Sequence, residues 1–369
     1  MENCIWTEKE GITGTAQDLL DRLLGYAVRE GASDIHIEPL DESVRVRCRF
    51  DGVLYTVAAA PPEKGEPFLI RLKIMAGLDI ANKRLPQDGR ILWEKGAVKT
   101  DLRLSTMPTV RGEKAVIRIL GGRTADLSLD GLGLPERGVA LIRGALTYTN
   151  GLIIICGPTG SGKTTTLYAA LRELDSDAVS IATLEDPVEY KINGFSQSQV
   201  NAKGGVEFPQ GLRALLRQDP DILVIGEIRD GETATIAVRA ALTGHLVLST
   251  LHAATALHAP GRLIDMGIEP YLLADALLCL MAQRLVRRKC SVCGGKGCKA
   301  CHGSGYGGRL CISEVVPMNA PLRNAIRSGK SEGEMQRLVG EGLLFSESIR
   351  RSIGSGLTDA AEIRRVYKE

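Results

Sequence analysis

GLIIICGPTGSGKTTTLYAAL, residues 151–171, joins an apolar run to a glycine-rich turn and then to a helical stretch that opens with Lys163 and Thr164. Gly157, Gly160, Gly162, Lys163 and Thr164 satisfy G-x-x-x-x-G-K-[ST], and they do so in the context that gives this pattern meaning, directly after a buried strand and at the start of a helix. Glycines allow successive backbone N–H groups to curl round a phosphate. Lys163 adds positive charge near the β and γ phosphates, and the Thr164 hydroxyl reaches Mg²⁺. The stretch therefore reads as the cradle of a nucleoside triphosphate, with Gly157, Thr159, Gly160, Ser161, Gly162, Lys163, Thr164 and Thr165 as ligand-binding positions and ATP and Mg²⁺ as the expected ligands.

Composition frames this reading. A chain of 369 residues, 44% hydrophobic and 24% charged, has room for two or three domains with cores of their own. Met1 to Gly11 carries Glu2, Glu8 and Glu10, and Ile153 to Cys156 is too short to span a bilayer, so neither a leader nor a membrane helix is expected. With a net charge of +2 and 4% aromatic residues, the chain lacks the basic field and stacking rings of a nucleic-acid binder. No direct nucleic-acid partner is expected. A DNA-translocating motor with the same nucleotide core would need a basic, aromatic-lined channel that this composition does not offer.

Outward from the glycine turn, LIIIC, VSIATL, DILVIG and HLVLST alternate with helical stretches, the pattern of a buried parallel sheet with helices on both faces. Upstream the pattern changes. DIHIEP, a turn at Asp41 and Glu42, and VRVRCRF form a strand hairpin with Val44, Val46, Cys48 and Phe50 on one face, followed by a turn at Asp51-Gly52. Arg45, Arg47 and Arg49 occupy the other face, expected to be solvated. Pro67 to Leu78 fits a helix, and RLPQDGRI, KTDLRLST and EKAVIRIL fit further strands. Residues 13–120 thus read as an α+β, PAS-like domain and 121–135 as a linker. Residues 136–369 read as an α/β nucleotide-binding domain with a cysteine module at 290–301 and a helical part at 312–369.

Three further strand ends carry chemistry. DPDILVIGEIRD places Glu227 at the end of a buried strand with Gly226, rather than an acid, before it; this carboxylate is expected to hold the Mg²⁺ water shell, polarise the attacking water, or both. TLEDPVEY ends the preceding strand with Glu185, Asp186 and Glu189, and the ends of parallel strands converge on a ligand crevice. HLVLSTLHA puts His252 at the end of a third strand, where an imidazole is placed either to sense the γ-phosphate or to serve as a satisfied structural histidine; His245, at the opposite end of that strand, is as readily structural as functional. CSVCGGKGCKAC supplies Cys290, Cys293, Cys298 and Cys301 as two C-x-x-C pairs, a set that suits tetrahedral Zn²⁺; His302 is a neighbouring alternative ligand that a four-sulfur site does not need.

GPTGSGKTTTLY, TLEDPVEY, RQDPDILVIGEIRD and GHLVLSTLHA, with SDIHIEP and RLPQDGR upstream, resemble the type II secretion and type IV pilus assembly ATPase family from about Ala16 to Tyr367. The resemblance implies a RecA-like P-loop ATPase domain in a cytoplasmic homo-hexamer, attached peripherally to the inner membrane through a platform protein, that spends MgATP on pilin or pseudopilin assembly. It identifies TLEDPVEY with the family's Asp box, GEIRD with its Walker B motif and STLHA with its His box. It also implies arginines delivered to the nucleotide from the N-terminal domain, matched here by Arg90 and Arg103. The tetracysteine module resembles that of the assembly motors rather than the retraction motors. Members commonly carry an additional N-terminal domain that docks on the platform, and this chain begins almost at SDIHIEP, so a short member lacking that domain is expected.

Overall fold

The computed structural model describes residues 15–367, apart from 97, 121–127, 190, 202 and 203. The start at Met1 to Gly11, the first residues of the expected N-terminal domain, the first half of the expected linker and the last two residues lie outside the described residues. The chain divides into two compact units, Met1–Thr124 with Cys298–Gly303, and Ala125–Gly297 with Ser304–Glu369.

In the first unit, helix α1 (Ala16–Arg29) starts at a capping box in which Thr15 and Asp18 satisfy each other's backbone N–H groups. Strands β1 (Asp34–Pro39), β2 (Val44–Phe50) and β3 (Val53–Ala60) precede α2 (Pro62–Met75), and β4 (Gln87–Lys95), β5 (Val98–Thr109) and β6 (Gly112–Leu120) follow it. All six pair antiparallel in the order β3-β2-β1-β6-β5-β4. The alternation that reads as strand sends Leu102 and Leu104 of β5 inward against Leu19, Leu23, Phe68 and Leu72, and Arg103 outward. The α2 helix begins at Pro62, ahead of the Pro67 expected from sequence, because Pro62 already provides the preset φ that suits a first turn; Pro67 lies inside it.

The arginines of β2 are not simply solvated. Arg47 and Arg45 pair with Glu38 at 2.7 and 3.1 Å, and Arg49 pairs with Asp34 at 3.2 Å. Burial pushes the Glu38 carboxyl up, but hydrogen bonds from Arg47 and Lys114 outweigh it and bring it down to about 2. The reason is register: His36 faces Arg47 and Glu38 faces Arg45 across the ladder, so β1 acids meet β2 cations on one face.

The second unit begins with α3 (Glu136–Leu146) and then β7 (Gly151–Cys156), α4 (Lys163–Leu174), β8 (Ile181–Glu185), β9 (Ser196–Gln199), α5 (Phe208–Leu215), β10 (Ile222–Ile225), α6 (Gly231–Leu242) and β11 (Leu246–Leu251). Next come α7 (His258–Asp265), α8 (Pro270–Ala276), β12 (Leu277–Lys289) and β13 (Tyr306–Pro317), then α9 (Ala320–Arg327), α10 (Glu332–Gln336), α11 (Phe345–Gly354) and α12 (Ala360–Val366). The sheet order is β13-β12-β7-β11-β10-β8-β9, with parallel pairing throughout except for β13 on β12. Apolar residues of α3 and α4 cover one face and those of α5 to α8 the other. This is why the central strands are apolar on both faces rather than alternating.

The region from 312 onward is not wholly helical, since 312–317 belong to β13. β12, with LLCLMAQRLVRRK, and β13, with YGGRLCISEVVP, are both long strands that the sequence pattern did not announce. The signal for β12 was available in the run Leu277 to Ala282, but such runs also suit a buried helix.

The last helix is held by charge. Glu362, with no exposed side-chain surface, accepts from the backbone N of Arg287 at 2.8 Å and pairs with Arg287 at 2.8 Å and Arg365 at 2.6 Å. Burial pushes its carboxyl up, and the hydrogen bonds from Arg365 and Arg287 more than reverse that, to about 2. A carboxyl depressed in the folded state from an ordinary 4.5 stabilises at pH above that value and loses the contribution as pH falls toward about 2. Glu362→Gln should therefore cost about 3 kcal/mol or more at pH 7. It should also flatten the acid limb of a denaturation profile recorded between those pH values; an unchanged limb would assign the acid sensitivity elsewhere.

Candidate nucleotide site

Parallel pairing brings four chain segments to one edge of the sheet. Leu251 of β11 aligns with Cys156 of β7, and Ile225 of β10 aligns with Ser249 and with Leu184 of β8. The residues that follow each strand therefore emerge side by side: Gly157, Glu185, Glu227 and His252. Cross-strand bonds fix these ends further. Gly157 N donates to Leu251 O at 3.3 Å, Gly226 N to Leu184 O at 2.8 Å and Ile228 N to Thr250 O at 3.0 Å, and Thr250 Oγ1 donates to Gly226 O at 2.7 Å.

The loop from Gly157 to Gly162 closes at the start of α4, with Gly162 at φ +90° in the left-handed region as the residue before the first turn. Lys163 turns back over it and donates from Nζ to Gly157 O at 2.8 Å and to Pro158 O at 3.1 Å. Burial holds its ammonium below the ordinary lysine value, an effect opposed by the Glu227 carboxylate. Ser161 is buried and its hydroxyl oxygen has no partner among the described residues. Thr159, Gly160 and Thr165 are exposed, and Gly162 and Thr164 are half-buried, so the rim of the cradle is open. A helix N-terminus, a ring of backbone N–H groups and one ammonium fit an anion such as a polyphosphate.

Glu227 is 16% exposed at its side chain, pairs with Arg229 through one oxygen and faces His252 Nε2 at 3.6 Å through the other. Burial and the Lys163 charge lower the His252 imidazole from its ordinary value, against the pull of Glu227. Glu185 differs. It is 3% exposed, and it accepts from Tyr168 Oη through one oxygen and from Thr183 Oγ1 at 2.7 Å and Gln197 Nε2 at 3.3 Å through the other. That is a carboxylate secured in the interior; its neighbours Asp186 and Glu189 are the exposed acids of the stretch. The absence of an acid before Glu227 also has a cause. A Cβ at Gly226 would lie 3.2 Å from Glu185 Cα and 3.3 Å from Leu184 O, so there is little room for a side chain against β8. His245 sits before β11 with Nδ1 3.2 Å from Ala240 O, away from the site edge.

Arg90 and Arg103 lie in the first unit, opposite each other on β4 and β5, exposed on the outer face of the sheet. Arg103 has no hydrogen bond or ion pair among the described residues, and Arg118 beside it pairs with Asp34 at 3.1 Å.

Between β12 and β13 the four cysteines Cys290, Cys293, Cys298 and Cys301 gather so that all four sulfurs lie within 4.8 Å of one another. Backbone N–H groups point at them: Gly297 N to Cys293 Sγ at 3.2 Å and Cys298 N to Cys301 Sγ at 3.1 Å. Four convergent sulfurs, with N–H donors that stabilise negative charge on them, fit a soft or borderline divalent metal. His302, in the left-handed conformation, is not part of the group.

A glycine loop after an interior strand of a largely parallel sheet, with an acid and a histidine at the ends of the strands beside it, fits a P-loop ATPase. The comparisons narrow the class. Residues 9–365 match the family described as Type II/IV secretion system protein. Type II secretion system protein HxcR of Pseudomonas aeruginosa is 47% identical over 361 residues, 95% of this chain and 77% of that protein. Type II secretion system ATPase E of Vibrio cholerae is 43% identical over 380 residues, 95% of this chain and 75% of that protein. Among solved structures, the pilus retraction motor PilT with bound ADP superposes with a TM-score of 0.67 at 25% identity, over 95% of this chain and 97% of that one. The chain belongs to the Type II/IV secretion system protein family and is an ATP-hydrolysing enzyme. Among its described residues no helix is long and apolar enough to cross a membrane.

Proposed function

We propose that the protein is a hexameric motor that hydrolyses MgATP on the cytoplasmic side of the inner membrane and uses the resulting domain motion to assemble pseudopilins or pilins for secretion. The observation that carries this reading is the convergence of the glycine loop, Glu227 and His252 at one sheet edge. The names of the relatives, with PilT's bound ADP, support it. A platform protein in the membrane is the partner expected to turn the motion into assembly.

Within this reading the loop from Gly157 to Thr165 binds the phosphates and Lys163 exchanges its loop carbonyls for phosphate oxygens. The Thr164 hydroxyl would hold Mg²⁺, and the ion would supply charge neutralisation for the transferring group. Glu227 is the acid that activates water, being the carboxylate whose charge acts on Lys163 and, unlike Glu185, only partly enclosed, and His252 reads the γ-phosphate. Glu185, enclosed by Tyr168, Thr183 and Gln197, acts by holding the strand end in place. Lys163→Ala should lose nucleotide affinity itself, whereas Glu227→Gln should still bind and then stall. Calorimetric titration with a slowly hydrolysed ATP analogue separates them; equal loss of affinity in both would make Glu227 structural.

Arg90 and Arg103 serve as fingers for the nucleotide of a neighbouring subunit. Loss of Arg103 should reduce turnover by roughly 10³-fold with a smaller effect on binding. Mixing Arg103→Ala and Lys163→Ala chains should restore part of the activity, because some mixed sites then contain both intact halves. Near-normal turnover in Arg103→Ala would sink this role.

The four cysteines hold one structural Zn²⁺. Elemental analysis should find one zinc per chain, and Cys298→Ser should release it and lower the melting temperature, since coordination contributes folding energy directly. Metal-free protein with four thiols that react at once in native buffer is the contrary result.

A further inference from the structure

Two consecutive residues of β12, Gln283 and Arg284, are buried, and neither belongs to the glycine loop or to the carboxylate stretches. Gln283, 1% exposed, donates from Nε2 to the carbonyl of Ser161 at 2.7 Å, while its own Oε1 has no partner among the described residues. The loop is pressed against this residue at both ends. A Cβ at Gly157 would lie 2.7 Å from Gln283 O, and one at Gly162 would lie 2.9 Å from Gln283 Nε2. An amide with a stranded acceptor costs free energy that an apolar side chain of similar volume would not. What the amide does to Ser161 has a direct geometric consequence. A trans peptide points its C=O and its N–H in opposite directions, so a Ser161 carbonyl held toward β12 turns the Gly162 N–H away from β12. If residues 157–165 hold the phosphates, that N–H is one of those that would line the cradle.

Arg284 acts on the neighbouring loop. It donates from Nη1 to Gln283 O at 3.0 Å and from Nη2 to Ala254 O at 2.7 Å, and Ala254 follows His252 by two positions. Its guanidinium lies 5.5 Å from the centre of the Phe345 ring. Glu314 of β13 braces the same segment by accepting from Ala256 N at 2.8 Å and from Phe345 N at 3.3 Å.

We propose that Gln283 and Arg284 are positioning residues for ATP hydrolysis: Gln283 presents the Gly162 N–H to the phosphates, and Arg284 sets the distance from that loop to His252. This rests on the reading that residues 157–165 hold the phosphates. The two side chains then act on different quantities, because the β-phosphate is present in ADP and ATP alike whereas His252 concerns the γ-phosphate alone.

The test uses the full chain. Gln283→Met should weaken ADP and ATP binding equally, by about tenfold, the effect of one hydrogen bond, and leave kcat close to its original value. Gln283→Glu, which sets a carboxylate against the Ser161 carbonyl, should weaken both at least as much. Arg284→Met should keep ADP affinity within about twofold and lose about tenfold in kcat. Unchanged ADP affinity in either Gln283 variant, or a parallel fall of affinity and kcat in both the Gln283 and Arg284 variants, overturns the proposal. Hydrogen exchange on the unmodified chain decides it should the variants not fold: ADP should protect the Gly162 amide, and an amide that stays unprotected while ADP is bound overturns the assignment. Lys163→Ala serves as the control, since full ADP affinity in that variant would instead remove the underlying reading of the loop.

Discussion

The structure depends on the in-register parallel pairing of β7, β11, β10 and β8. Parallel strands cannot be joined by a tight turn, so each must return through a crossover, here α4, α6 or the α5 segment, and every strand then ends at the same edge. Because Leu251 is aligned with Cys156, and Ile225 with both Leu184 and Ser249, the residues just past these positions emerge at the same edge of the sheet. A slip of one residue would exchange the residues packed on the two faces and shift Glu227 relative to Lys163. The hydroxyls of Ser249 and Thr250, which donate to Ile225 O and Gly226 O at 2.7 Å, resist that slip with side chains as well as with the backbone ladder.

Charge in this crevice is arranged by burial more than by number. Lys163 is held below the ordinary lysine value by its enclosure, against the pull of the Glu227 carboxylate. Glu185 shows the opposite use of a carboxylate in the same place. Surrounded by donors and shut off from solvent, it satisfies Tyr168, Thr183 and Gln197 and leaves the Glu227 position as the open acid. Gly226 follows from this, since the strand carrying Glu227 runs close against the backbone of Glu185.

The β12–β13 arm links this crevice to the rest of the second unit. Along one strand it places the Leu277 to Ala282 run in the core, Gln283 and Arg284 beneath the two loops, Arg287 on Glu362, and Cys290 at the start of the sulfur cluster. Thirteen residues of β12 thereby connect the glycine loop, the His252 loop, the last helix and the cysteine turn through contacts with little slack. The antiparallel partner β13 contributes Glu314, which fixes Ala256 from the far side.

The class of fold and most of the candidate site were legible in the chain because they are local in sequence: a glycine loop between an apolar run and a helix, acids at the ends of apolar runs, two C-x-x-C pairs. Such features follow from backbone freedom and hydrophobic pattern within some twenty residues. Roles that depend on what lies across the fold were not legible. Glu185 and Glu227 end similar strands and look alike as letters, and only packing encloses the first and leaves the second open. Arg45, Arg47 and Arg49 read as a solvated face until the pairing of β1 with β2 set Glu38 and Asp34 against them. Gln283 and Arg284, in a run that suits a helix as well as a strand, gave no signal at all. Sequence determined the glycine loop, the apolar runs of the central strands and the spacing of the cysteines, since those properties belong to neighbours along the chain. Tertiary structure decided which acid is enclosed and which half-buried, which arginine is paired and which amide donates to the glycine loop, since burial and partner are properties of residues far apart in sequence.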